Sequence, residues 1–134
     1  MAALWLSGFE DDPAQEQCGE ICVFEIFGSS VQRDPPSAEV GVGIKPFRDP
    51  QLAEDFATPR LPIDVTRPHD FAVRWDARAA VFTVDDRIVR RCPHPPTYPL
   101  QLMLAVFDFP DWSTSADEHL VPELVVEHLC AARG

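Results

Sequence analysis

The chain has 134 residues, 46% of them hydrophobic and 25% charged, which is the composition of one ordinary globular domain. Its formal net charge of -11 speaks against nucleic acid or an anionic membrane as partner, since both require a basic face, but does not disfavour a neutral polymer such as a polysaccharide. Fourteen prolines against six glycines mark rigid loops and few helices, which favours an all-β chain with long connections.

Ala2-Ala3-Leu4-Trp5-Leu6 reads as a short buried strand, and residues 8–19, with Phe9-Glu10-Asp11-Asp12-Pro13, as an acidic loop. The next stretch, Gly19-Glu20-Ile21-Cys22-Val23-Phe24-Glu25-Ile26-Phe27-Gly28, is rich in β-branched and aromatic residues and bounded by glycines, so it reads as a buried strand. Two glutamates lie inside it, although glutamate is depleted in strands and seldom buried without a role. They stand five positions apart. In a regular strand that spacing sends them to opposite faces, because side chains alternate with period 2. A β-bulge near Val23-Phe24 adds one residue and returns both carboxyls to one face. Two carboxyls facing one cleft is the chemistry of glycoside hydrolysis. The plainer alternative is a core strand with two incidental glutamates.

Residues 29–38 form a loop with Pro35-Pro36, and 39–45 (Glu-Val-Gly-Val-Gly-Ile-Lys) a strand with one face closely approached by something else. Residues 49–57 have Asp49 as N-cap and Pro50 at the first helical position, which predicts one or two helical turns. Phe71, Val73 and Trp75 share a strand face, with Trp75 read as core. Residues 80–90 form a hairpin turning at Asp85-Asp86. Leu100 to Phe107 is almost continuously apolar and reads as a central strand. Residues 120–131 alternate, placing Leu124, Val126, His128 and Cys130 opposite Glu123, Val125, Glu127 and Leu129, as a last strand. The four cysteines (Cys18, Cys22, Cys92, Cys130) lack redox or zinc spacing and read as buried free thiols. The four histidines (His69, His94, His119, His128) lack ligand spacing, so no metal site and no cofactor is expected.

The glutamate strand resembles the catalytic strand of glycoside hydrolase family 16 (laminarinases, lichenases and relatives), which reads Glu-Ile-Asp-x-x-Glu in its bulged form. Glu20-Ile21-Cys22-Val23-Phe24-Glu25 matches it with Cys22 in place of the aspartate. Further along, His69, Phe71, Trp75, Val84 and Asp85 match the family's His-x-aromatic-x-x-x-Trp stretch and aromatic-x-Val-Asp-Gly hairpin, with Asp86 for the glycine. Tyr98-Pro99-Leu100-Gln101-Leu102-Met103-Leu104-Ala105 resembles its Tyr-Pro-Met-Gln-Leu-Met-Leu-Asn strand, with Ala105 for the asparagine.

The resemblance implies an antiparallel β-sandwich, a jelly roll of the concanavalin A-like lectin and glucanase type. It spans residues 1–134 as one partial domain, the C-terminal part of the family's fold. Because the Ala2–Leu6 strand looks like the one just before the catalytic strand, several strands are expected upstream, and unpaired edges favour a strand-pairing homodimer. The activity implied is retaining hydrolysis of β-1,3 or mixed-linkage glucan, with Glu20 as nucleophile, Glu25 as acid/base and Cys22 impairing the pair. Lys45 is placed to face the sugar, with a solvated edge lysine as alternative. Trp5, Phe107 and Trp112 offer stacking faces. A non-catalytic carbohydrate-binding protein and a gene fragment remain open alternatives.

Overall fold

The structure, a computed structural model, describes residues 1–8, 16–109 and 121–132. These form an all-β fold with every strand pair antiparallel. The strands are β1 (Ala2–Ser7), β2 (Glu20–Ile26), β3 (Gln32–Arg33), β4 (Pro36–Glu39), β5 (Gly41–Lys45) and β6 (Asp55–Ala57). They continue with β7 (Arg60–Leu61), β8 (Phe71–Trp75), β9 (Ala79–Val84), β10 (Arg87–Pro93) and β11 (Gln101–Val106). A five-stranded sheet runs β11-β1-β2-β5-β6, one three-stranded sheet β10-β9-β8, and a smaller one β3-β4-β7.

The five-stranded sheet and the β10-β9-β8 sheet bury facing apolar rows between them. From the first come Leu6, Ile21, Phe24, Val42 and Ile44; from the second Ala80, Phe82, Val84 and Cys92. The rings of Phe24 and Phe71 meet across the layers with centroids 4.7 Å apart. In β9 the alternation is strict, with Ala80, Phe82 and Val84 buried and their neighbours partly exposed, as expected of a strand with one face on the core. Phe82 is 1% exposed, a burial that stabilises by about 2–3 kcal/mol. One edge of the sandwich is clamped by polar groups. The Arg90 guanidinium pairs with the Asp55 carboxylate, and its Nε donates to the Asp55 carbonyl at 3.2 Å. The Cys92 thiol donates to the same carbonyl at 3.3 Å.

Five expectations require correction. Residues 49–57 make turns and the strand β6 rather than a helix, because Asp55–Ala57 pairs with Val42–Ile44 and too few residues remain for a helical nucleus. Asp49 still behaves as a cap, its Oδ1 accepting from the Gln51 amide at 2.8 Å. Trp75 is 42% exposed, on β8, which is the edge strand of its sheet among the described residues. β11 is an edge strand among the described residues, with Leu102, Leu104 and Val106 more than a third exposed. Residues 121–132 hold no strand. Their alternation is weak, as Val125 and Leu129 sit on the face that should be polar. Of the cysteines, Cys18, Cys22 and Cys92 are buried free thiols as expected, whereas Cys130 is exposed.

The β9–β10 hairpin turns at Asp85-Asp86 with φ of 49° and 63°, the left-handed pair that a two-residue turn demands. The Asp85 carboxylate earns its position by two bonds, accepting from His69 Nδ1 at 2.8 Å and the Asp70 amide at 3.0 Å. Burial alone lowers the His69 pKa, but the bonds to Asp85 and the Asp64 carbonyl outweigh it and the net shift is upward. Asp85 is held below the usual carboxylate range, first by the Asp70 amide and then by His69. The Asp85 contribution is therefore complete above its unfolded value and lost in acid, while that of His69 is complete below about pH 6.5 and lost as pH rises through its raised value. Asp85→Asn keeps an acceptor for the Asp70 amide and tolerates the left-handed backbone, so it removes only the charge. Asp85 is well exposed although His69 is partly buried, so the difference from wild type is about 0.5 kcal/mol near pH 5–6. Thermal melts should show that difference shrinking as pH rises towards 8; a constant difference would contradict the pairing.

Candidate active site

The sheet register places the two glutamates. Glu20 stands opposite Ser7 of β1 and Lys45 of β5, and Cys22 opposite Trp5 and Gly43. Glu25 stands opposite Ala3 and Gly41. Between Cys22 and Glu25 β2 spends three residues where β5 spends two, and between Phe24 and Cys22 it spends two where β1 spends one. One residue is thus bulged out in the Val23–Phe24 region. Ser7, Trp5 and Ala3 share a face of β1, as do Lys45, Gly43 and Gly41 on β5, so Glu20, Cys22 and Glu25 share the face turned away from the core. The inner face carries the complementary signature. Ile21 and Phe24, three apart, both lie in the core cluster.

The backbone of β5 is glycine where this face is crowded. A Cβ on Gly43, whose φ is 138°, would lie 2.1 Å from the Asp55 carbonyl oxygen. One on Gly41 would lie 2.6 Å from the Phe56 ring and 3.1 Å from the Glu25 Cβ. The close approach expected of residues 39–45 is therefore made by β6 and by Glu25 itself. Lys45 reaches Glu25, Nζ to Oε1 at 2.5 Å, and lies 4.3 Å from the Phe56 ring centre. It is thus paired with Glu25 on an interior strand rather than a solvated edge lysine.

Cys22 is fully buried, and its Sγ donates to the Gly41 carbonyl at 3.6 Å. Burial, then the charge of Glu25, then that of Glu20 push the thiol far above its ordinary range, and the opposing effect of Lys45 does not offset them. Cys22 is a neutral thiol at physiological pH, a weak donor and weak acceptor. Glu20 is only 8% exposed.

Aromatic rings line one end of the same face. Trp5 and Phe107 have centroids 5.8 Å apart at 38°, and Phe107 and Phe109 lie 6.1 Å apart at 20°. Phe109 stacks in turn on Phe27 at 6.1 Å and 30°. Ala105 pairs with Ala3 on this face. Of the sequence-predicted residues, Glu20, Cys22, Glu25, Trp5 and Lys45 are brought onto one surface with Phe107 at its end, while Trp112 lies outside the described residues. Phe27 and Phe109 were missed, although each stands two positions beyond a chosen residue, Glu25 and Phe107, and period 2 assigns them the same face. Among the described residues no group of three or more His, Cys, Asp or Glu is arranged to hold a metal ion.

A second missed element anchors the start of β2. The Tyr98 hydroxyl accepts from the Gly19 amide at 2.8 Å and donates to Asp49 Oδ2 at 2.7 Å. Burial, followed by the bond to Asp49, raises the phenol's pKa, so it remains a donor throughout the ordinary pH range. Gly19 has no room for a side chain here, since a Cβ would lie 2.2 Å from Leu52 and 2.8 Å from the Tyr98 oxygen. The backbone entering Glu20 is thereby fixed by one tyrosine from the segment before β11.

Among solved structures, the fold is similar to that of a GlcNAcα1-4Gal releasing endo-β-galactosidase from Clostridium perfringens, with a TM-score of 0.62 and 22% identity over 77% of this chain. This chain spans about a quarter (26%) of that protein's length. No family model matches the sequence, and no curated protein does.

Tyr98→Phe removes the acceptor of the Gly19 amide and the donor to a buried carboxylate. The expected cost is about 1–3 kcal/mol, read by denaturant unfolding, together with faster hydrogen exchange at Gly19. An unchanged exchange rate would show that Tyr98 does not hold the start of β2.

Proposed function

We propose that the chain carries the two-carboxylate centre of a retaining glycoside hydrolase of family 16 type, acting on β-1,3 or mixed-linkage glucan at a rate lowered by Cys22. The observation that carries this reading is the bulge that turns Glu20, Cys22 and Glu25 outward together, in the order Glu-Ile-x-x-x-Glu. The likeness of fold to an endo-β-galactosidase supports a carbohydrate-active protein in general terms.

In this mechanism Glu20 attacks the anomeric carbon and forms a glycosyl ester, while Glu25 protonates the departing glycosidic oxygen as its bond to that carbon breaks. Glu25 then takes a proton from water, the hydroxide attacks the same carbon, and the ester bond to Glu20 breaks. Two displacements retain the configuration. Lys45 occupies Oε1 of Glu25, which leaves Oε2 to carry the proton. A carboxylic acid at position 22 would hydrogen-bond the nucleophile strongly, whereas a neutral thiol does so weakly. The difference of about 1.5–3 kcal/mol corresponds to roughly one to two decades of rate.

The same ion pair favours a second reading, a carbohydrate-binding protein that does not cut. With Glu25 held by Lys45 and a thiol between the glutamates, the face would bind sugar on Trp5 and Phe107 alone.

The hydrolytic reading expects Glu20→Gln and Glu25→Gln each to abolish nearly all release of reducing ends from laminarin or lichenan, and Cys22→Asp to raise it about ten- to a hundredfold. Glucan that quenches tryptophan fluorescence without being cut, by wild type and by Cys22→Asp alike, would decide for the binding reading. Neither cutting nor quenching would remove both.

A further inference from the structure

Beside Glu25 the outer face opens into a cleft of about 350 Å³, at the small end of the range for small-molecule pockets (roughly 300–1,000 Å³). Lys45 holds Oε1 of Glu25, whereas Oε2 lies 3.4 Å from where a Cβ of Gly41 would stand, and Gly41 lines the cleft. The absence of a side chain at Gly41 therefore leaves Oε2 its space on the cleft side. Phe27 lines the cleft as well, and through Phe109 and Phe107 it joins the aromatic row that leads to Trp5.

Polar groups with a fixed geometry complete the lining. Glu39 of β4 and Arg60 of β7 are register partners, and Arg60 Nη2 pairs with Glu39 Oε1 at 2.8 Å. Arg60 Nη1 is anchored on the Ser30 carbonyl at 3.1 Å and the Ser37 hydroxyl at 3.4 Å. Only one Glu39 oxygen is engaged by Arg60. Thr58 also lines the cleft.

The charges decide what such a cleft accepts. Arg60 is matched by Glu39 and Lys45 by Glu25, so the cations of this region are already balanced. Among the described lining residues an anionic sugar would meet two carboxylates and one cation, Arg60, already paired with Glu39, in a chain of net charge -11. A neutral pyranose would find an aromatic wall, a planar guanidinium donor and carboxylate and hydroxyl acceptors, the groups that fix ring hydroxyls while an apolar face is covered.

We propose that this cleft is a binding subsite for a neutral hexose unit next to Glu25, in which the Arg60–Glu39 pair reads the ring hydroxyls and excludes uronate or sulfated sugars. The inference rests on the carbohydrate reading of the Glu20–Glu25 face and assigns it a selectivity. None of Glu39, Thr58 or Arg60 takes part in the cleavage steps.

The test is a titration of the wild-type chain with non-cleavable, sulfur-linked β-gluco- and β-galacto-hexasaccharides and with a sulfated hexasaccharide of equal length. Backbone amide shifts and calorimetric affinity are recorded together. Expected are shifts at Phe27, Thr58 and Arg60 with a neutral hexasaccharide, and at least tenfold weaker binding of the sulfated one. Arg60→Met should weaken neutral binding about tenfold. Since Arg60 also anchors Ser30, the double variant Glu39→Gln/Arg60→Met and its melting temperature are measured alongside. It should bind the neutral sugar as weakly as the single variant while melting cooperatively. Neutral binding with shifts confined to Trp5 and Phe107, unchanged by either variant, overturns the subsite and leaves the carbohydrate reading intact. Preference for the sulfated sugar overturns the proposed selectivity. No binding of any of the three overturns the subsite and the carbohydrate reading together.

Discussion

One extra residue in β2 determines what this sheet can present to solvent. A regular strand would divide Glu20 and Glu25 between the core and the outer face, and a glutamate on the core face would meet Phe82 of the facing sheet without water. That placement costs several kcal/mol unless the charge is paired. The bulge removes the conflict. It sends Ile21 and Phe24 inward, three residues apart, and the two glutamates outward, five apart. The same irregularity appears against both neighbouring strands, so it belongs to β2 rather than to one loose pairing.

The outer face is then built around a dense set of charges. Gly41 and Gly43 let Glu25 and β6 approach the sheet where any larger residue would collide. Lys45 answers the charge of Glu25, and Phe56 lies under its ammonium. Cys22, enclosed between the glutamates, adds no charge because burial and its acidic neighbours hold its proton in place. Among the described residues, β2 and β5 thus turn two carboxyls, one cation and a neutral thiol to this face.

Much of this was legible in the sequence because local pattern and long-range pairing agree. The spacing of Glu20 and Glu25 demanded a bulge, and the bulge lies where the spacing placed it. The Asp85-Asp86 turn followed from the alternation on either side. Other features depend on which strands meet. Nothing near Glu39 in the sequence announces Arg60, since the two are joined only by the pairing of β4 with β7. Tyr98 reads as part of a proline-rich connection until the fold brings it against Gly19. The failures share a cause as well. A cap residue followed by proline at 49–50 favours a helix locally, yet β5 offered Asp55–Ala57 a ladder. The apolar run at 100–107 suited a central strand by composition, and composition does not report a strand's place in the sheet.

The most direct test of the shared carboxylate face is the register of β1 on β2, read from cross-strand nuclear Overhauser contacts in a labelled sample. With Trp5 opposite Cys22, a bulged β2 places Ala3 opposite Glu25, whereas a regular one would place it opposite Phe24. The account predicts close backbone contacts from Trp5 to Cys22, from Ala3 to Glu25 and from Gly41 to Glu25. Contacts from Ala3 to Phe24, with none to Glu25, would put the two carboxyls on opposite faces and contradict it.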